Sequence, residues 1–139
     1  MEKTIKQRRS IRSFTAETVD DQIIETILDA ARWAPSGVNN QPWRFAVITD
    51  TRIKDELSTL TKYDTIIKSA YAVIAVFFDT GVGYDRTKDL QAIGACIENM
   101  LLEITHQGLG GVWLGEILKS GAEIKKLTDA PDEFEFMAA

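Results

Sequence analysis

The chain has 139 residues, 45% of them hydrophobic, with a formal net charge of −5, which suits one domain with an ordinary core and argues against a general nucleic-acid binder. No apolar run reaches the ~18 residues a membrane span needs, and no apolar stretch follows the charges of Met1–Lys6, so neither a membrane anchor nor a secretory leader is expected. The single Cys96 excludes an internal disulfide framework and fits a reducing cytoplasm.

The pattern predicts a short helix within residues 3–9, then an extended entry from Phe14 to Val19. Thr18, Asp20 and Asp21 supply cap and first-turn acids for a helix whose Ile23, Ile24, Ile27, Leu28 and Ala31 share one face. Pro35 and Gly37 stop it. Phe45 to Ile48 reads as a strand, and Thr49–Thr51 turns into a helix carrying Ile53, Leu57 and Leu60. Ala70 to Phe78 is a continuous apolar run, as expected of a strand buried on both faces. A loop from Asp79 to Lys88 leads into a helix of about eighteen residues from Asp89 to His106. Ile93, Ile97, Met100 and Ile104 lie along one stripe of it. The glycines at 108, 110 and 111 stop that helix and open a short strand, Val112–Leu114. Ser120 and Glu123 have capping-box spacing for a helix to about Leu127. Phe134 to Ala139 begins a last strand, with Glu133 and Glu135 alternating with the two phenylalanines. There are no repeats, linkers or low-complexity segments.

Three segments carry most of the chemistry. Arg8-Arg9-Ser10-Ile11-Arg12-Ser13-Phe14 packs three guanidinium groups and a hydroxyl into five residues, a donor density that suits a phosphate and carbonyl oxygens. Run extended, it projects Arg8, Ser10 and Arg12 to one side. Taken alone, such a run is a solvated basic turn. Ala34-Pro35-Ser36-Gly37-Val38-Asn39-Asn40-Gln41-Pro42-Trp43 is a proline-framed loop of small and amide residues, able to bring backbone N–H groups against a flat polar ligand. Its ordinary reading is a helix-to-strand connection, with Trp43 in the core. Gly108-Leu109-Gly110-Gly111-Val112-Trp113-Leu114-Gly115-Glu116 lacks dinucleotide-fingerprint spacing. By itself it is a glycine-bounded buried strand, with Trp113 as packing. His106 reads as a helix-end residue, and Cys96 as a small buried side chain. No Cys/His cluster suggests a metal, and no nucleophile motif is present.

These three segments together resemble the nitroreductase family, and the resemblance runs from about Arg8 to the C-terminus. It implies an α+β fold, a central mostly antiparallel sheet flanked by helices, in one domain over residues 1–139. It implies a homodimer, with the helix from Asp89 to His106 at its centre. It implies FMN held between subunits. Arg8, Arg9 and Ser10 would contact the phosphate, the ribityl chain and the pyrimidine edge, and Arg12 would place a cation near N1 and O2. Pro35, Ser36, Gly37 and Asn39 would reach the partner subunit's FMN. Leu114, Gly115 and Glu116 would present a backbone N–H to N5. The implied activity is a cytoplasmic, FMN-dependent oxidoreductase. It passes hydride from NADH or NADPH through flavin N5 to a nitroaromatic, quinone or similar acceptor by a ping-pong route, with no dedicated catalytic side chain. The competing expectation is a flavin-binding or structural dimer without efficient turnover. Tyr84 and Arg86 would border the substrate pocket. Related chains continue past Met137-Ala138-Ala139 into a Gly-Tyr-Pro-like turn and a basic tail, so looser FMN binding is expected here.

Overall fold

A computed structural model describes residues 1–139. Helix α1 spans Glu2–Gln7 and α2 spans Asp21–Arg32. Strand β1 is Trp43–Ile48, followed by α3 (Thr51–Ser58), α4 (Asp64–Ser69) and β2 (Val73–Asp79). Helix α5 runs Arg86–His106, α6 is Gly121–Leu127, and β3 is Phe134–Ala138. Short 3-10 turns occur at Gly37–Asn39 and Glu116–Ser120. No helix is long and apolar enough to cross a membrane.

Three helix starts follow local capping chemistry. The Asp20 carboxylate accepts from the Gln22 N–H, Asp50 from Ile53, and Asp85 from Lys88. Asp85 moves the start of α5 three residues ahead of the expected Asp89. The Ser120–Glu123 capping box does not form; the Ser120 hydroxyl donates instead to the Leu60 carbonyl at 2.9 Å. A tertiary acceptor displaced the local one.

The sheet is antiparallel, with β2 between β1 and β3. Trp43 pairs with Phe78 and Ile48 with Val73 on one side. Phe77 pairs with Phe136 and Asp79 with Phe134 on the other, after a register shift at Val76/Phe77. Alternation along β2 divides the core. Val76 and Phe78 join Ile27, Ala31, Ile93, Ile97 and Met100 under α2 and α5. Val73, Ala75 and Phe77 join Leu57, Ile67, Ile117, Ile124 and Phe136 on the opposite face. The central strand is therefore covered on both sides, as its apolar run predicts. The architecture is the expected α+β one, an antiparallel three-stranded sheet flanked by helices.

Three expectations change. Val112–Leu114 is not a ladder strand; the segment makes one isolated parallel bridge, Ser10 to Gly111. Trp113 is not packed away but 44% exposed. The stripe Ile93, Ile97 and Met100 is buried within this chain, under α2 and the sheet. That apolar face is therefore satisfied without a second copy.

Candidate functional site

The arginine segment leaves α1 at Arg8, whose φ of −52° and ψ of 128° turn the backbone extended. The Ile11 N–H donates to the Gly111 carbonyl at 3.0 Å. Residues 8–12 thus run beside residues 109–113, and two of the sequence segments become neighbours. The approach depends on Gly110, where a Cβ would stand 2.9 Å from Ile11 Cγ2. Arg8 Nε lies 3.7 Å from Glu98 of α5. One Nη of Arg9 donates to the Lys6 and Arg8 carbonyls, and one of Arg12 to the Ser10 carbonyl. A guanidinium has five N–H donors, so each arginine keeps several to spare, and Arg9, Ser10 and Arg12 are exposed.

The segment continues through Leu114, buried and anchored by its N–H to the Ala139 carbonyl at 2.7 Å. Gly115 follows in a right-handed turn with φ −82°. A Cβ there would meet no atom within 4 Å, so the space in front of its backbone is open. Glu116 accepts from the Thr61 hydroxyl at 2.5 Å and pairs with Lys119. The Lys119 and Thr61 hydrogen bonds hold its carboxyl down at about 2. These contacts tie residues 114–116 to the loop after α3.

The Pro35–Trp43 loop is the most strained backbone in the molecule. Val38, Asn39 and Gln41 have φ of 48°, 57° and 47°, and for a β-branched residue such as Val38 this is a rare state. Each position costs of order 1–3 kcal/mol and persists only where the surroundings hold it. Ser36 Oγ accepts from the Gln41 N–H at 3.0 Å, and Asn39 Oδ1 from Gln41 Nε2 at 3.1 Å. Arg44 donates to the Gln41 carbonyl and pairs with Asp79 at 2.7 Å. Tyr84 occupies the space a side chain at Gly37 would need, so the loop before α5 packs on this one. Pro35, Val38 and Asn39 are exposed, and Trp43 is in the core as expected.

One chain does not bring all three segments together. The arginine and glycine segments meet along the second half of α5, with Arg8 beside Glu98 and Gly111 where a Cβ would meet Ile104 and Leu101. The Pro35–Trp43 loop meets α5 at its first turn, through Asn40 and Asp89. Along the helix from Asp89, Glu98 beside Arg8 lies about 14 Å away and Ile104 about 22 Å away, at about 1.5 Å per residue. An apolar cavity of about 420 Å³ lies among Phe14, Ile24, Val73, Ile97, Ile104 and Leu114. Of the expected site residues only Leu114 lines it, and it offers little for a polar cofactor. Sequence reasoning missed Asn40, Arg44 and Thr61, because their partners are distant in the chain. Arg86, expected near a substrate, is engaged by Glu135 in a two-pronged ion pair.

Comparison with known proteins bears on these segments. The sequence profile of the Nitroreductase family matches residues 5–79 and 59–139. A protein of Archaeoglobus fulgidus, provisionally named an NADH dehydrogenase/NAD(P)H nitroreductase, is 38% identical over 81% of this chain and 66% of its own length. The NADPH-flavin oxidoreductase of Vibrio harveyi is 30% identical over 93% of this chain, and the match spans 59% of that protein. Among solved structures, a provisionally assigned nitroreductase from Desulfovibrio desulfuricans in complex with FMN superimposes with a TM-score of 0.94. It is 44% identical, over 99% of this chain and 81% of that one.

Proposed function

This chain belongs to the nitroreductase family, and from that membership we propose that residues 1–139 form one FMN-binding domain of an NAD(P)H-dependent oxidoreductase. The observation that carries the reading is the pairing of Ser10 with Gly111. It runs the arginine segment alongside residues 109–113, which lead within two residues to the open backbone at Gly115. The donor set fits the cofactor: Arg8, Arg9 and Ser10 for the phosphate and ribityl chain, Arg12 for the electron-rich pyrimidine edge, and the backbone at Leu114, Gly115 and Glu116 for the ring system. FMN would supply the two-electron chemistry, exchanging hydride between NADH or NADPH and an acceptor such as a nitroaromatic or a quinone.

The protein's own contribution is binding, orientation and charge. A fixed cation at Arg12 favours an anionic ring, and the backbone beside Gly115 allows close approach to a flat ligand. Pro35, Ser36, Gly37 and Asn39 stand at the other end of α5, so they complete the site of a second copy. The active unit in this reading is a homodimer with two composite sites. Its apolar interface does not come from the Ile93–Met100 stripe, which is already covered.

The test is a visible spectrum of the protein loaded with FMN and desalted. Retained flavin, bleached by NADH or NADPH under anaerobic conditions and recoloured by a quinone, is the expected result. Flavin that is lost on desalting and also fails to bind in a fluorescence titration rejects the binding site. Retained flavin that neither nucleotide bleaches favours the competing reading, a flavin-binding dimer without turnover.

A further inference from the structure

Asp89 is a carboxylate 1% exposed in the first turn of α5, and no lysine or arginine pairs with it. Burying a charge without a counter-ion is costly unless hydrogen bonds replace its water. Here Oδ2 accepts from the N–H groups of Tyr84 and Asp85 at 3.0 and 3.1 Å. The helix N-terminus adds favourable potential. The wrap of this loop around the carboxylate needs Gly83, where a Cβ would stand 2.7 Å from Phe78 Cζ and 3.2 Å from Asp89 Oδ2.

The remaining oxygen, Oδ1, accepts from Asn40 Nδ2 at 2.7 Å. The same Nδ2 donates to the Val82 carbonyl at 3.1 Å. Asn40 Oδ1 is buried with no hydrogen-bond partner, so the amide acts wholly as a donor to Asp89 and to the loop carbonyl of Val82. Asn40 sits inside the run whose Val38, Asn39 and Gln41 all have positive φ. Three left-handed residues, one of them β-branched, do not hold that shape unaided. The Asn40–Asp89 hydrogen bond joins them to the rigid start of α5.

We propose that Asp89, acting through Asn40, is the positioning residue of the Pro35–Gln41 loop and keeps its left-handed backbone in place before any ligand arrives. Its consequence for cofactor binding rests on the flavin reading above; the latch itself does not. A preformed loop spares the ordering cost at binding. The buried charge is what makes the attachment stronger than a neutral amide contact.

The experiment reads amide hydrogen exchange in ligand-free protein and, separately, FMN affinity by fluorescence quenching. In Asn40→Ala, exchange at Asn39, Asn40 and Gln41 should rise at least ~10-fold, with the amides of β2 unchanged. FMN affinity should fall about 10-fold, from the same loss of order. Asp89→Ala should give the same loop signature, and the double variant should add little to either single. Asp89→Asn should fall between wild type and Asp89→Ala: a flipped Asn40 can accept from the new amide, but it loses its bond to the Val82 carbonyl and the charge is gone. Unchanged loop exchange in Asn40→Ala overturns the latch, even if FMN binds normally. Exchange raised equally in β2 overturns it too, since the pair would then be merely structural. Loosening confined to the loop, in a protein whose wild type takes up no FMN, upholds the latch and sinks only the flavin reading.

Discussion

Arg8 meets one protein group, Glu98, at 3.7 Å, a distance at which most of its donor capacity stays available. If it grips a phosphate, Arg8→Ala should weaken FMN binding by about 1.5–3 kcal/mol, the worth of a charge-assisted hydrogen bond. Fluorescence titration measures this, and an unchanged dissociation constant removes Arg8 from the site. Glu116 makes a pH prediction. Its carboxyl is held at about 2 by Lys119 and Thr61, below the usual carboxylate value. A depressed pKa means the folded state binds fewer protons than the unfolded one, so its stabilisation is complete above about pH 4.5 and fades as pH falls toward 2. Wild type should therefore melt above Glu116→Gln at pH 7, with the gap closing across that window. A gap that persists at pH 2 would mean the carboxylate charge is not its source.

At the scale of elements, capping and packing decided where each helix begins. Asp20 caps α2 through the Gln22 N–H at 2.8 Å. Asp20→Ala should cost about 1 kcal/mol, within the 0.5–2 kcal/mol range for such caps, as a lower urea midpoint with unchanged slope. A shift of zero would place the stability of α2 wholly in Ile24, Ile27 and Ala31. Ser120 illustrates the opposite case. Its spacing to Glu123 has the local capping signal, but its hydroxyl serves the Leu60 carbonyl in the turn after α3. Local signals place elements well and lose wherever a distant acceptor offers a better bond. Helix α5 is legible in the same way: its length and apolar period are in the sequence, but which neighbour covers the stripe is not. The sheet and α2 cover its Ile93, Ile97 and Met100.

For the whole molecule, the separation of the loop from the arginine segment along α5 has a direct consequence. In the proposed homodimer, a site that uses both draws on two copies. Arg8→Ala and Asn39→Ala subunits, each impaired alone, should then complement on mixing and refolding. A mixed dimer carries one doubly damaged site and one intact site. With random pairing about one quarter of all sites regain wild-type FMN affinity, because composite sites in a twofold dimer exchange their halves. A site contained within one chain regains none. Stoichiometric FMN uptake by a species that sediments as a monomer would likewise end the two-copy reading.

By itself the sequence determined most of the helices and strands, the two-faced burial of β2, the capping residues around Asp20 and the family, because each is written in contiguous residues. A period of two or 3.6, an aspartate before an apolar run, or three short motifs can be read without knowing what lies opposite. Only the tertiary structure decided that Ser10 lies against Gly111, that Val112–Leu114 forms no ladder, and that Trp113 faces outward. It alone joined Asn40 to Asp89, 49 residues on, and held Val38, Asn39 and Gln41 in left-handed backbone. Such contacts depend on how the packed sheet and α5 present their edges to each other. No local pattern encodes that geometry, since a side chain's nearest neighbours in space are set by the core beneath it and not by its neighbours in the chain.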